Sequence, residues 1–166
     1  ARLDVLYRLT GSYYLKDSAR NYLSHQAGAG ADIQLSENTT LQASYNFRFT
    51  EESREATLTN IQTSRAGIHS HLATFNATHV LTPNTSIGFS VSENLLEFED
   101  PALVDTRTDT GAVTVNYKIS DNTTISPGYS FSNMDFDTGN NIQSHTAIVG
   151  AAYRYSPTLD LNASAG

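Results

Sequence analysis

The 166-residue sequence has no cysteine and no tryptophan, a single methionine and four prolines. Without cysteine it carries no disulfide framework, no thiolate metal site and no Cys-x-x-Cys-His attachment for a c-type haem. Charged residues make up 16% of the chain and hydrophobic ones 39%, so the aliphatic mass that fills a soluble core is missing. No run of about 18 apolar residues occurs, which excludes a transmembrane helix. No secretory leader is visible, and a strand pattern is already under way at Ala1-Arg-Leu-Asp-Val5. The formal charge is −7 and the basic residues form no stripe, which argues against a nucleic-acid partner.

What the chain has instead is strict alternation. From Leu41, the apolar Leu41, Ala43, Tyr45, Phe47 and Phe49 are separated by Gln42, Ser44, Asn46 and Arg48, the period of two that gives a strand one apolar and one polar face. A polar turn feeds this strand at Leu35-Ser-Glu-Asn-Thr-Thr-Leu41. The unit recurs at Leu81-Thr-Pro-Asn-Thr-Ser-Ile87 and Ile119-Ser-Asp-Asn-Thr-Thr-Ile125, with a shortened echo at Tyr155-Ser-Pro-Thr-Leu159. The repeated element is therefore a hairpin.

In chain order, Leu3 to Leu15 reads as a long first strand, with Leu6 and Tyr14 as exceptions on its polar face. A polar connection over 16–24 leads to a second strand through Ala27 and Leu35. Glu51 to Ser64 is a charged loop. In the next strand the apolar parity changes between Ile68 and Leu72 on one side and Ala73, Phe75 and Ala77 on the other, which predicts a bulge near Leu72. A second phase slip is predicted near Glu93-Asn94. Acidic residues 97–109 form a loop, strands through Val113 and Ile125 follow, Met134 to Ile142 is another loop, and strands through Val149 and Leu161 complete the set. The reading is all-β: an antiparallel up-and-down meander of about nine strands, in one domain over 1–166.

Two regularities give this meander its setting. Tight turns near 37, 83, 121 and 157 alternate with longer polar loops near 20, 57, 103 and 138. Charge is also sorted by parity: Asp4, Arg8, Lys16, Asp32, Arg48, Lys118, Arg154 and Asp160 all take the polar side of their strands. Arg or Lys facing a bilayer midplane costs about 2–4 kcal/mol, whereas facing a wet lumen it costs little. Strands of 10–12 residues, tilted near 45°, would rise about 25 Å, the height of a barrel's apolar band. A transmembrane β-barrel, whole or in part, is therefore expected in the bacterial outer membrane. Asp4, Arg8, Asp32, Arg48, Asn116, Lys118 and Arg154 would line its lumen. Leu41, Tyr45, Phe47, Val113, Val115, Tyr117, Val149 and Tyr153 would face lipid. The alternative is a soluble or surface-exposed all-β adhesin, which would bury its apolar face with heavier side chains than the many alanines here.

The alternation, the Leu-Ser-x-Asn-Thr-Thr-Leu turns and the aromatic residues near strand ends (Tyr13, Phe49, Phe98, Tyr117, Phe131, Tyr153, Tyr155) resemble the porin-like β-barrels of Gram-negative outer membranes. The repeats also look like those of the large barrels that sheath multihaem cytochromes. The first resemblance implies a channel for small solutes; the second implies a scaffold around a periplasmic electron-transfer partner. Barrels of this class end on an aromatic residue, and single-chain bacterial ones have an even strand number. This chain ends at Asn162-Ala-Ser-Ala-Gly166, so it is expected to join further strands or other copies in a larger barrel. Membrane lipid and lipopolysaccharide are the other expected partners.

No catalytic, metal or cofactor site is expected. His69 and His71 share a strand face, as a ligand pair would, but read more simply as solvated lumen or rim residues beside Ser and Gly. Ser144 and His145 point to opposite faces, and no Gly-x-Ser-x-Gly elbow exists for a hydrolase. Asp135-Phe-Asp-Thr-Gly-Asn-Asn141 and Asp105-Thr-Arg-Thr-Asp109 lack the closing Glu and spacing of an EF-hand. Asn-x-Ser/Thr at 38, 84 and 122 reads as turn chemistry rather than glycosylation. Glu51, Glu52, Glu55, Glu99, Asp100 and Asp105 mark acidic loops able to hold divalent cations that bridge lipopolysaccharide.

Overall fold

The computed structural model describes residues 1–13, 15, 21–50, 67–156 and 159–165. Nine strands follow one another: β1 (Arg2–Ser12), β2 (Tyr22–Ser36), β3 (Thr39–Thr50), β4 (Ile68–Thr82), β5 (Thr85–Phe98), β6 (Thr106–Ser120), β7 (Thr123–Phe136), β8 (Asn141–Ser156) and β9 (Leu159–Ala165). They form one sheet in sequence order, and every neighbouring pair is antiparallel. The sheet is open, with β1 paired only to β2 and β9 only to β8.

The sheet has no hydrophobic core. No described side chain is fully buried, and Thr50 and Gly67 are the only described residues classed as buried at all. Its accessible surface is 11808 Å², against about 8,100 Å² for a compact monomer of this mass. The exposure is also inverted. Phe89 is 49% exposed and Tyr45 45%, while Ser90 and Ser44, which point the other way, are half-buried. Water would penalise this arrangement through every exposed ring. Among the described residues no second layer covers the apolar face, as a sandwich would require.

Four expectations are corrected. β4 contains no bulge at Leu72: its register with β3 is unbroken from Thr39↔His79 to Thr50↔Ile68. Ile68 and Leu72 are isolated apolar residues on the polar face, and His69 and His71 hold the apolar-side positions that made the parity look shifted. No slip occurs at Glu93-Asn94 either, since β5 stays in register with β4 and β6 through both residues. The apolar face simply turns charged there. Finally, β1 stops at Ser12, and the connection near 138 is a four-residue turn, Asp137 to Asn140, closed by Gly139 at φ 84° with its N–H donating to the Phe136 carbonyl at 2.9 Å. The expected loop at 51–64 and Lys16 lie outside the described residues.

The tight turns repeat in atomic detail. Ser36↔Thr39, Thr82↔Thr85 and Ser120↔Thr123 each close a two-residue turn beside a register shift. Ser36 Oγ donates to Thr39 Oγ1 at 3.0 Å and Ser120 Oγ to Thr123 Oγ1 at 3.1 Å. The N–H groups of Asn38, Asn84 and Asn122 each donate to the hydroxyl two residues back at 3.3 Å. Their carbonyls reach the next hairpin, accepting from the N–H of Val80, Lys118 and Arg154 at 2.8 Å. Turn chemistry therefore accounts for Asn-x-Ser/Thr. In the third turn Lys118 Nζ donates to Asp121 Oδ1 at 2.8 Å; this bond, and the ammonium's charge behind it, hold the Asp121 carboxyl below the usual carboxylate range.

Small residues on the polar face let neighbouring strands approach. A Cβ on Gly128 would meet Thr114 Oγ1 at 3.1 Å and the Val113 carbonyl oxygen at 3.2 Å, whereas one on Gly111, on the other face, meets nothing within 4 Å. Gly128→Val is expected to lose about 1–3 kcal/mol of stability from overpacking. Gly111→Val should stay within about 0.5 kcal/mol of the parent. Urea unfolding of both variants checks the contrast. Pro127, beside Gly128, lacks an N–H, and the β6–β7 ladder skips Val115 and Asn116 opposite it. Ser126 Oγ spans the gap, donating to Asn116 Oδ1 at 2.8 Å.

Candidate membrane-facing surface and inner face

The register divides the side chains into two sets. On one face Arg8, Gln26, Arg48 and Ser70 stand side by side across four strands, and nearer the turns Arg2, Asp32, Gln42 and Asn76 do the same. Asp4 lies beside Gly30, Asn116 beside Ser86, and Lys118 opposite Thr124; Arg154 shares the parity of Gly150 and Ala152 in β8. The structure thus brings Asp4, Arg8, Asp32, Arg48, Asn116, Lys118 and Arg154 onto one continuous face. Several are engaged locally, Asn116 with Ser86 and Ser126 among them. Arg2 donates to Asp4 Oδ1 at 3.0–3.1 Å, and the Lys118 head bends to Asp121.

Leu41, Tyr45, Phe47, Val113, Val115, Tyr117, Val149 and Tyr153 all fall on the opposite face. So do the histidines, including His69 and His71, which were expected in the lumen or at its rim. His25 lies between Leu9 and Phe49, His69 between Phe49 and Glu97, His71 between Phe47 and Leu95, His79 between Thr39 and Ile87, and His145 opposite Phe131. A hydropathy reading counts imidazole as polar, yet here the rings pack at a tilt against phenylalanine: the Phe47 and His71 centroids are 4.9 Å apart, Phe49 and His69 4.7 Å, and Phe131 and His145 5.0 Å.

One arrangement occurs three times. Tyr7 bonds His25, Tyr45 bonds His71 and Tyr129 bonds His145, each through the tyrosine hydroxyl to Nδ1, at 2.9, 2.7 and 2.6 Å. Each pair joins the two strands of one hairpin, on the side of the sheet away from the two-residue turns. The sequence signal is a threefold Ser-His-x-Ala at 24–27, 70–73 and 144–147, facing Tyr7-Arg-Leu9, Tyr45-Asn-Phe47 and Tyr129-Ser-Phe131. Self-comparison of the sequence would find it.

The pairs are staggered regularly. Straight across the sheet from His25 is His69, two residues short of His71. Straight across from His71 is Asn141, four residues short of His145. The offset is one residue per strand both times, over two strands and then over four. With about 3.3 Å per residue and about 4.8 Å between strands, a line through the three pairs is level when the strands tilt by about 35°, within the range of transmembrane barrels. The tight turns follow the same step: Thr39, Thr85 and Thr123 lie opposite His79, Tyr117 and Tyr153, each three residues short of the next turn.

Two level belts result. His25, His71 and His145 stand in one, and His79, Tyr117 and Tyr153 in the other. Eight residues separate His71 from His79 and His145 from Tyr153, about 26 Å along the strand and about 22 Å in height at that tilt. Between them the outward residues are apolar: Ala73, Phe75 and Ala77 on β4, Gly111, Val113 and Val115 on β6, and Ala147, Val149 and Ala151 on β8. At and beyond the first belt the same face carries Glu93 and Asp109, then Glu97, Arg107 and Asp135. Arg107 Nη2 donates to Glu93 at 2.7 Å, and its Nε lies 3.1 Å from Asp109.

Of the aromatic residues expected at strand ends, Phe49, Tyr117, Phe131, Tyr153 and Tyr155 take the apolar face. Tyr13 lies beyond β1. Phe98 is corrected: it sits opposite Ile68 on the polar face, with its N–H donating to Asp105 Oδ1 at 2.7 Å. The loop acids are also partly engaged. Asp100 Oδ1 accepts from the Ala102 N–H at 3.0 Å, and Glu99 and Glu97 lie 3.4 and 3.7 Å from Nε2 of His69 and His71. Glu51, Glu52 and Glu55 lie outside the described residues. Ser144 stands opposite Ser132, on the face away from His145.

An antiparallel meander with an apolar exterior, a polar opposite face and level aromatic belts is the wall of an outer-membrane β-barrel. Solved structures share it. The chain matches OmpT, an outer membrane protein of Vibrio cholerae, in its in-vitro folded trimer form, with a TM-score of 0.68 and 14% identity over 95% of this chain and 49% of that one. It matches the loop L8 deletion mutant of that protein at 0.69 and 15%, over 98% and 54%. It also matches the Pseudomonas putida toluene transporter TodX at 0.50 and 15%, over 98% and 62%. At these identities the fold is what is shared. The chain spans about half the length of the OmpT structures. No protein family matches the sequence, and no curated protein matches it.

Proposed function

We propose that this chain forms part of the wall of a channel in the bacterial outer membrane, with Asp4, Arg8, Asp32, Arg48, Asn116, Lys118 and Arg154 facing water and the Val113 face against lipid. The observation that carries the reading is the zone between the belts, where every outward residue on β4, β6 and β8 is apolar and none is buried, in a sheet whose described residues form no core. Lipid is the solvent that rewards such a surface, and a closed cylinder is the arrangement that leaves no strand edge unpaired in it. The unpaired edges of β1 and β9 are places for further strands or another copy. The polar face, built of Gly, Ser, Thr and Asn with charges of both signs, suits passage of small hydrophilic solutes.

The test is electrical. Full-length protein in planar bilayers is expected to give discrete conductance steps. Because Arg8 and Arg48 flank Gln26 in one row, the Arg8→Glu/Arg48→Glu variant is expected to move the reversal potential towards cation selectivity in a salt gradient. A protein that inserts without conducting would be a scaffold or sleeve. One that stays monodisperse without detergent would be the adhesin.

A further inference from the structure

The Tyr–His pairs are more than an aromatic border. When the tyrosine O–H donates to Nδ1, a neutral imidazole carries its proton on Nε2 and offers an N–H outward. When the imidazole is protonated, Nδ1 donates to the tyrosine oxygen, and the pair offers both Nε2–H and the tyrosine O–H, with a positive charge. In both of these states the outward groups are donors, and in the charged state no ring nitrogen can accept. A surface that donates in this way, at the upper edge of an apolar band, is complementary to an anionic acceptor at the same height.

We propose that the Tyr7–His25, Tyr45–His71 and Tyr129–His145 pairs bind the phosphate groups of lipopolysaccharide in the outer leaflet, and bind them more tightly when the imidazoles are protonated. The proposal rests on the membrane reading above. His25 is faced by Tyr7 from β1 and by Phe47 and Phe49 from β3, with no charged outward neighbour on either strand. His145 is faced by Tyr129, Phe131 and Asn133 from β7. His71 is faced by Tyr45 from β3, by Glu93 and Glu97 from β5 and by His69 on its own strand; Glu97 already lies 3.7 Å from its Nε2. His25 and His145 are therefore the stronger positions. The β5–β6 hairpin supplies a contrast. At the corresponding level it has Val91 and Asp109 in place of tyrosine and histidine, and Asp109 is satisfied by Arg107. No phosphate position is expected there.

Imidazole changes charge between about pH 5 and pH 8, and charging a hydrogen bond roughly doubles its strength. Full-length protein in mild detergent, mixed with bis-phosphorylated lipid A and analysed by native mass spectrometry, is expected to retain roughly fivefold to tenfold more lipid near pH 5.5 than near pH 8. In the His25→Gln/His71→Gln/His145→Gln variant the ratio is expected to fall to about one. With dephosphorylated lipid A it should be about one for the parent protein as well. An unchanged ratio in the triple variant would overturn the proposal; should that variant fail to fold, an unchanged ratio with dephosphorylated lipid A would do so. Insertion into vesicles, read separately as a heat-dependent shift in gel migration, distinguishes the two levels. Inserted protein without the pH ratio removes only the lipid A site, and protein that never inserts removes the membrane reading with it.

Discussion

Arginine in place of Val113 is expected to cost about 2–4 kcal/mol of folding stability in a bilayer, while arginine at the adjacent Ala112 costs under about 1 kcal/mol. Val113 lies midway along β6 between Asp109 and Tyr117, which stand at the two belt levels, so its side chain would put a guanidinium at greatest depth. Ala112 points to the face shared with Ser90 and Ser130. The stronger part of the expectation is the depth profile. Along β6 the penalty should be largest at Val113 and fall towards about 0–1 kcal/mol at Tyr117. On β4 and β8 the maximum should move to Phe75 and Val149, each four residues from both belts. A soluble core has no reason to place its most sensitive position at one height on every second strand. Urea unfolding from vesicles, compared across the three positions, measures the profile. A flat profile, or maxima unrelated to the one-residue step, would remove the bilayer from the account.

Deleting Leu72 is expected to abolish folding altogether. Because β4 keeps register with both neighbours through Leu72 and shifts only beside its tight turn at Val80/Thr82, losing one residue there reverses every side chain on one side of the cut: either His69 and His71 change face, or Ala73, Phe75 and Ala77 do and Thr74, Asn76 and Thr78 take their place. Neither outcome keeps both belts. A bulge at Leu72 would have absorbed the deletion by straightening. Removing Thr138 instead shortens a turn outside the ladder and should leave most of the protein folded. The folded fraction after dilution from urea into vesicles, read on a gel, decides between them. Appreciable folding of the Leu72 deletion would restore the bulge and break the level belts.

The two faces and the nine strands were legible in the sequence because a period of two is a binary pattern, readable within each strand. The turns were legible because Ser, Asn and Thr at fixed offsets hold one hydrogen-bonding scheme, as at 36–39 and 120–123. Errors arise where polarity and side-chain class part company. Hydropathy groups His69 and His71 with the hydroxyls, although their rings pack on Phe47 and Phe49. Two apolar residues on the other parity, Ile68 and Leu72, then imitate a bulge. Glu93 and Glu97 imitate a slip for the opposite reason: they stay on the outward face but lie beyond the apolar zone. The stagger was invisible because it belongs to the pairing between strands and to no strand alone. Only the registers of successive hairpins place Tyr7, Tyr45 and Tyr129 on one level.

That uniform step has a consequence for how such proteins grow. In a closed cylinder the inclination of the strands follows from the ratio of total shear to strand number, and the girth from the strand number. A duplicated hairpin that brings its own two residues of shear leaves the ratio untouched and adds only girth. Gene duplication can therefore widen a cylinder of this design two strands at a time, with each newcomer already seated at the right depth.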